Sequence, residues 1–296
     1  MTNVVNAISV DVEEYFHAAN IAEVTGREKW AELPSRVVDS TDKILQIFAD
    51  HDTRGTFFVL GYVAERHPEL VKRIVEQGHE LSSHGYGHHC VYDQDPSSFL
   101  EDISKTKKLL EDITGQEILG YRAPNFSILQ DNDWAYDCLI QAGYRYDSSS
   151  YPIRHHRYGN RSRPLEANVI TRDGGELLEL PMAVATTNII GKEVRLPVAG
   201  GAYWRLLPLK YISWGLHKIN STDKRGANCY LHPWELDPNQ PVFEELPFFS
   251  KLRHYGKLDQ FEKKLSYFLS NFKFGSVREL AVREFGERAL KVFEQK

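Results

Sequence analysis

The first half of the chain alternates short apolar runs with amphipathic stretches whose apolar residues recur at helical spacing. This pattern predicts seven strands, at residues 4–10, 56–60, 79–82, 118–121, 144–147, 177–181 and 229–231. Helices are predicted between them, at residues 42–50, 68–77, 98–114, 133–142 and 209–220. Such alternation of strand and helix indicates an α/β fold with a parallel sheet and right-handed crossovers, either open or closed into a barrel.

Local signals mark several helix ends. Pro68 stands at the start of one predicted helix and Gly78 follows its end, which is the usual asymmetry. Ser98, with Glu101 three residues later, predicts a capping box at the start of the next helix, and Gly115 closes that helix.

The pattern changes beyond residue 237, where three prolines interrupt the next ten residues. A charged helix is predicted at residues 259–271, and Ser276 predicts the start of a final helix. No second apolar core of domain size is visible in this stretch. We therefore predict a catalytic domain at residues 1–245 and a C-terminal helical extension at residues 246–296 that packs on it.

Composition and charge exclude several classes of protein. The chain has 296 residues and a net charge of −5, so it has no global positive field and nucleic acid is not an expected partner. No apolar run reaches the roughly 18 residues of a membrane span, and the N-terminus lacks the basic segment of a signal peptide. Three cysteines without a framework spacing agree with a reducing compartment. The cytoplasm is the expected location.

Polar residues cluster directly after four of the predicted strands, at residues 11–14, 83–89, 122–126 and 232–235. In parallel α/β folds, functional groups gather where strands end and loops begin. These four segments are therefore expected to lie close together in space.

The segments after the first and third strands suggest a metal site. His84 and His88 are four residues apart, so a helical turn would put both imidazoles on one side. With an acid from the end of the first strand, they would leave one metal position open for water. Alternatively the acids of that strand end, Asp11, Glu13 and Glu14, cap a helix or lie in solvent. Both interpretations remain open from the residues alone, although buried charge needs a partner.

Taken together, the four segments resemble the polysaccharide deacetylases of carbohydrate esterase family four, which share the NodB homology domain. More narrowly, the chain is similar to a subgroup from bacterial exopolysaccharide loci that begins with Asp-Val-Glu-acid-Tyr-Phe, as residues 11–16 do here. That subgroup also carries Pro-Val-Ala-Gly-Gly and His-Pro-Trp-Glu, which match residues 197–201 and 232–235. The resemblance covers residues 4–245, and the tail matches the extension of that subgroup. It implies an irregular (β/α) barrel of about seven parallel strands with its site at their carboxyl ends.

The resemblance also implies roles for the matched residues. Asp11 would be the catalytic base, Arg122 would orient it, and His232 would be the general acid. The metal ligands would be Glu13, His84 and His88.

Several details of the motifs differ from the family pattern. Most relatives have aspartate as the acidic ligand, often adjacent to the base, so Glu14 remains an alternative to Glu13. The resemblance implies one divalent metal ion, and zinc suits two histidines and one carboxylate. The family's fourth motif is only partly present at residues 147–149. Asn125 and Phe126 stand where many relatives have a tyrosine. The resemblance therefore does not identify which backbone N–H would donate to the oxyanion. Residues expected to contact substrate are Tyr15, Pro124, Asn125, Phe126, Leu231 and Trp234.

The implied activity is metal-dependent removal of N-acetyl groups from amino sugars of a polysaccharide or lipid-linked oligosaccharide, with release of acetate. A second hypothesis keeps the fold and the metal but uses a small cyclic amide or imide. A third is a glycan-binding protein without catalysis, which would need none of Asp11, Arg122 and His232. Exposed aromatic residues along an open groove would favour the glycan, and a closed pocket would favour the small substrate.

Overall fold

The computed structural model describes residues 5–155 and 158–294. All seven predicted strands are confirmed, with bounds that differ by one to a few residues, and Val4 lies outside the described residues. The strands are β1 Asn6–Val12, β2 Thr56–Val59, β3 Glu80–Ser83, β4 Gly120–Tyr121, β5 Tyr146–Asp147, β6 Asn168–Arg172, β7 Gly175–Glu179, β8 Val184–Ile189, β9 Lys192–Pro197, β10 Asn228–Leu231 and β11 Phe274–Gly275.

The sheet is an irregular barrel. Seven strands pair in parallel in the order β10-β1-β2-β3-β4-β5-β7, and β6 adds an antiparallel strand beside β7. After β7 the chain returns to β10, where the Ala183 N–H donates to the Asn228 carbonyl at 2.9 Å and the Asn228 amide donates to the Leu180 carbonyl at 2.8 Å. These hydrogen bonds join the two ends of the parallel sheet, which confirms the predicted barrel.

Helices cover the outside of this sheet, and most of them carry an apolar stripe that is buried against it. Their bounds are α1 Ala19–Thr25, α2 Val37–Asp50, α3 Gly61–Arg66, α4 Pro68–Glu76, α5 Pro96–Thr114, α6 Trp134–Gln141, α7 Ala202–Leu206, α8 Leu209–His217, α9 Phe248–Tyr255, α10 Leu258–Asn271, α11 Val277–Phe285 and α12 Glu287–Phe293. Among the described residues, no helix combines the length and the hydropathy that crossing a membrane requires.

Two predicted helix ends differ from the structure. The N-cap of α5 is Asp95, whose carboxylate accepts from the Ser97 and Ser98 N–H groups, so the predicted capping box at Ser98 and Glu101 is wrong. Asp95 is the better cap because Pro96 can occupy the first helical position without needing an N–H acceptor. At the C-terminus, the predicted helix start at Ser276 is confirmed, with Glu279 completing a capping box; this helix ends at Phe285 and α12 follows as a separate helix.

The C-terminal segment is part of the same packed structure. Strand β11 pairs in parallel with β1, and the Val277 N–H donates to the Thr56 hydroxyl at 2.7 Å. Val277 and Leu280 of α11 pack in one buried cluster with Phe58 of β2. Helix α10 contributes buried apolar side chains to the main core, among them Phe261, Leu265 and Phe268.

Residues 197–201 pack against the strand that carries His232. Gly200, with φ of 144°, forms a parallel bridge to Tyr230 of β10, and a Cβ added at Gly200 would lie 1.8 Å from the Tyr230 carbonyl oxygen. Only glycine permits this approach. The segment therefore acts as a backbone support for the end of β10.

Candidate active site

Strand β1 ends in a buried ion pair. Asp11 accepts a hydrogen bond of 2.6 Å from Arg122 Nη1, and the same nitrogen donates to the Ser9 hydroxyl at 2.7 Å. The other guanidinium nitrogens donate to the carbonyl and hydroxyl oxygens of Ser148, so Arg122 is fully buried and held on all sides. A guanidinium fixed in this way keeps the Asp11 carboxylate in one orientation.

Glu13, His84 and His88 converge at the carboxyl ends of β1 and β3. One ligand atom from each of the three lies within 4.8 Å of the other two, and all three side chains are buried. Glu13 Oε2 lies 2.8 Å from His88 Nε2, yet this oxygen has no hydrogen-bond partner among the described residues. A buried carboxylate oxygen of this kind needs an ion or a donor, and the group is therefore able to hold a metal ion.

The histidines are held by the backbone around them. The Arg122 carbonyl lies 2.8 Å from His84 Nδ1, which leaves Nε2 of that ring for a metal. Burial lowers the pKa of His84 to about 4, so the ring is neutral, as a ligand must be. His88 has a φ of 55°, and its carbonyl accepts a hydrogen bond of 2.8 Å from Arg27 Nη2. Burial alone would raise the pKa of Glu13, but His88 and the other neighbouring histidines lower it below its usual range.

Glu14 faces away from this cluster. Its carboxylate accepts from the Ser35 hydroxyl at 2.5 Å and from the Arg36 and Val37 N–H groups at 3.0–3.3 Å. It therefore caps the N-terminus of α2 from a distant part of the chain. The geometry favours Glu13 over Glu14 as the acidic ligand.

His232 is anchored by a buried ion pair that the sequence did not predict. Glu235 Oε1 lies 2.8 Å from His232 Nδ1, and Glu235 Oε2 accepts a hydrogen bond of 2.6 Å from Arg205 Nε. Burial would lower the pKa of His232, but the carboxylates of Glu13 and Glu235 raise it above its usual value. Its Nε2 lies 3.6 Å from Glu13 Oε1, on the side of the metal cluster.

Two aromatic residues that were expected to contact substrate, Tyr15 and Trp234, pack against protein side chains. Tyr15 is 1% exposed and packs on Phe16 and Phe243, because the turn of 3-10 helix after β1 directs its ring into the core. Tyr15 does not line the cavity, so its predicted contact with substrate is not supported. Trp234 does line the site, but its ring is stacked on two histidines, His232 and His254, at 4.8 and 4.4 Å. Its indole N–H donates to Glu13 Oε1 at 3.2 Å, so Trp234 supports the cluster.

The other residues expected to contact substrate divide into two groups. Asn125 and Phe126 line the cavity, and both have positive φ values, 53° and 51°. The Phe126 N–H donates to the Ala123 carbonyl, whereas the Asn125 N–H has no hydrogen-bond partner among the described residues. Pro124 and Leu231 are buried behind the cavity wall and do not line it, so their predicted contact with substrate is not supported.

A cavity of about 320 Å³ unites these groups. The barrel supplies Asp11, Glu13, His84 and His88 to its floor, and the second half of the chain supplies much of its wall. Residues of that wall include Tyr158, Ala202, Trp234, Phe249, Ser250 and Arg253. Phe249 is 80% exposed and stands at the cavity mouth.

The parallel α/β barrel therefore brings two imidazoles and two carboxylates together at its strand ends, a donor set that could hold a metal ion. Residues 32–146 match the polysaccharide deacetylase family, and residues 148–282 match a domain of unknown function, DUF3473. Residues 32–146 are thus similar to the polysaccharide deacetylases, and this match covers 115 of the 296 residues of the chain. Asp11 and Glu13 precede the first match, and His232 lies within the second.

Curated relatives share the first half of the chain. A peptidoglycan-N-acetylglucosamine deacetylase of Bacillus cereus is 33% identical over 99 residues, which are 33% of this chain and 36% of that protein. A peptidoglycan deacetylase of Helicobacter pylori is 30% identical over 109 residues, 36% of each chain. The aligned part therefore spans about a third of the length of these relatives.

Two solved structures share the fold. A structure from Mycobacterium smegmatis, assigned as a polysaccharide deacetylase, covers 97% of this chain and 92% of its own, with a TM-score of 0.62 and 19% identity. The Puue allantoinase covers 93% of this chain and 87% of its own, with a TM-score of 0.56 and 14% identity. At these identities the comparison establishes the barrel fold alone.

Proposed function

We propose that this protein is a metal-dependent N-deacetylase that hydrolyses acetamido groups on the amino sugars of a glycan and releases acetate. The observation that carries the proposal is the convergence of Glu13, His84 and His88 within 4.8 Å beside the Asp11–Arg122 pair. The family match supports the same reaction class, which is hydrolysis of an N-acetyl group. The relatives are named as peptidoglycan deacetylases, which agrees with this class.

The donor set fits a divalent ion with one carboxylate and two imidazole ligands, for which zinc is the expected choice. Glu13, whose buried Oε2 lies 2.8 Å from His88 Nε2, would hold the ion together with the two histidines. A bound ion would supply Lewis acidity toward the acetyl carbonyl and the attacking water.

Asp11 is the group suited to take the proton of the attacking water. Its carboxylate accepts from Arg122 at 2.6 Å, and this contact holds it in one orientation at the cavity floor. A positioned base of this kind contributes about 10²–10⁴-fold to the rate.

His232 is suited to protonate the departing amine. Glu235 fixes the Nδ1 side of its ring, so the proton available for transfer is on Nε2, which lies toward Glu13. Asn125 lines the same cavity, and its N–H, which has no hydrogen-bond partner among the residues that the structure describes, is our candidate for the donor to the developing oxyanion.

The glycan is preferred over a small cyclic amide because Phe249, a largely exposed aromatic ring, stands at the cavity mouth. A polysaccharide or lipid-linked oligosaccharide of an exopolysaccharide pathway remains the proposed substrate. A cytoplasmic location and the division of the chain at residue 245 remain predictions.

The test is acetate release from a panel of N-acetylated glycans by metal-stripped protein, before and after zinc is added. We expect activity only with metal, and a fall in kcat of about 10²–10⁴-fold in Asp11→Asn. His88→Ala should lose metal-dependent activity, whereas His89→Ala should keep it, because the neighbouring His89 is exposed and outside the cluster.

Activity of the metal-stripped protein equal to that of the zinc-loaded protein would contradict the proposal. Hydrolysis of a cyclic imide without acetate release from any glycan would support the small-substrate alternative. Glycan binding with no turnover of either substrate would support a non-catalytic protein.

A further inference from the structure

The cavity described above contains one cation whose charge the described residues do not balance. Two arginines line this cavity, Arg205 and Arg253. Arg205 is fully buried and paired with Glu235 at 2.6 Å. Arg253, on α9, is exposed and forms no ion pair with a carboxylate of the described residues.

The Arg253 side chain is nevertheless held in place. Its Nη2 donates to the Tyr158 hydroxyl at 3.3 Å, and its backbone carbonyl accepts from Arg205 Nη2 at 2.7 Å. Tyr158 is a neutral partner, and the other guanidinium N–H groups have no acceptor among the residues the structure describes. The guanidinium therefore keeps a positive charge and free donors at the cavity wall.

Lys251, on the same helix, provides a contrast. It is paired with Glu244 and does not line the cavity. Arg253, two residues further along α9, lines the cavity together with Ser250 and His254, and no carboxylate in the described part of the chain forms an ion pair with it. The difference indicates that the charge of Arg253 is available to a ligand in the cavity, whereas the charge of Lys251 is paired outside the cavity.

We propose that the cavity wall at Arg253 is a subsite for an oxyanion carried by the glycan, either a carboxylate or a phosphate. A guanidinium with free donors suits these planar or tetrahedral oxyanions because it can donate two parallel hydrogen bonds. Phe249, four residues earlier on the same helix and at the cavity mouth, offers an apolar surface to the sugar ring that bears the charge. The substrate is thus an acidic or phosphorylated glycan whose negative charge meets the cavity wall while its N-acetyl group lies at the metal cluster.

This inference rests on the proposed function only for the position of the N-acetyl group, and it is tested by binding. Calorimetry on zinc-loaded Asp11→Asn protein would compare a neutral N-acetylglucosamine oligosaccharide, one of equal length containing a uronic acid, and one with a phosphate at its reducing end. We expect at least one anionic ligand to bind about tenfold or more tightly than the neutral ligand, as a charged hydrogen-bond pair allows.

Arg253→Gln in the same background should abolish this preference and leave the affinity for the neutral oligosaccharide within about twofold. Arg253→Lys should keep part of the preference, since it retains the charge without the paired donors. Lys251→Gln, which removes the same charge from the same helix, should change neither affinity. Thermal unfolding of each variant would verify that the fold is intact.

A preference for the carboxylate or for the phosphate identifies the oxyanion, and either result supports the subsite. Equal affinity of the parent protein for neutral and anionic ligands would overturn it, as would an equal loss of both affinities in Arg253→Gln. If the anionic ligands bind tightly and no glycan is deacetylated by the protein with Asp11 intact, the proposed reaction fails and the subsite stands.

Discussion

At the scale of single residues, the adjacent acids Glu13 and Glu14 have opposite environments. Glu13 turns into the cluster with His84 and His88, and Glu14 accepts the N–H groups at the start of α2. The sequence left the choice between them open, because neighbouring residues after a strand differ only in the direction of the side chain. That direction depends on α2, which supplies the partner of Glu14 from more than 20 residues away.

Substitution of the two acids by alanine should separate these roles. Glu13→Ala should weaken zinc binding by about 100-fold or more, because it removes a ligand and leaves only two imidazoles. Glu14→Ala should leave zinc affinity unchanged and lower the free energy of unfolding by about 1–2 kcal/mol, since it removes a helix cap. Zinc titration and urea unfolding of both variants measure these effects. If zinc binding were lost in Glu14→Ala and retained in Glu13→Ala, the acidic ligand would be Glu14 and not Glu13.

At the scale of elements, the strands were the predictable part. A buried parallel strand is a run of apolar residues, and all seven such runs are strands in the structure. Helix α3 was missed because it has only six residues and no side-chain cap. Helix α9 was missed because its apolar residues Phe248, Phe249 and Leu252 are exposed, so it shows no buried stripe to follow.

The candidate site was predictable to a similar extent. Asp11, His84 and Arg122 were predictable because each lies at the end of a strand. Parallel strands bring their carboxyl ends to one edge of the sheet. The Arg205–Glu235 pair was not predictable, since its members are 30 residues apart and charged residues usually lie at the surface. The wall residue Arg253 lies on the missed helix α9.

The pairing of β5 with β7 places two acids side by side, and this has a consequence for stability. Asp147 and Glu179 are register partners, and both are buried. Burial and the neighbouring Asp147 raise the pKa of Glu179 well above its ordinary value of 4.5. The folded state therefore retains a proton that the unfolded state loses, so this group's contribution to stability is present below about pH 4.5 and decreases as pH rises.

Glu179→Gln should remove this dependence, because a neutral amide can still accept from Ser150 and donate to Asp147. From pH 5 to pH 8 its free energy of unfolding should rise relative to that of the unmodified protein by about 1 kcal/mol or more, as each pKa unit corresponds to about 1.4 kcal/mol. Glu176→Gln is the matched control on the same strand, since Glu176 pairs with Arg288 at the surface. Parallel pH profiles for Glu179→Gln and the unmodified protein, measured by urea unfolding, would refute this account.

At the scale of the whole molecule, the C-terminal segment belongs both to the barrel and to the site. Strand β11 extends the pairing of β1, the strand that ends in Asp11 and Glu13. Helix α9 contributes Phe249 and Arg253 to the cavity wall. The two family matches meet between residues 146 and 148, within β5, so the continuous sheet crosses the boundary between them.

We therefore expect a chain cut after residue 245 to fail to fold. The cut removes many large buried side chains, among them Phe261, Leu265, Phe268, Val277, Leu280 and Phe293. Each contributes about 1.5–3 kcal/mol of burial, and the net stability of a domain is only about 5–15 kcal/mol. It also exposes Phe58 of β2 and leaves one side of β1 without β11. Soluble yield, circular dichroism and zinc titration of the truncated chain would measure the effect, with Lys251→Gln in the full chain as a folded reference. A truncated chain that unfolds cooperatively and binds zinc would instead mean that the barrel is complete without residues 246–296. In that case the role of this segment would be confined to the cavity wall, where it would control which glycan enters while the metal cluster and its base form without it.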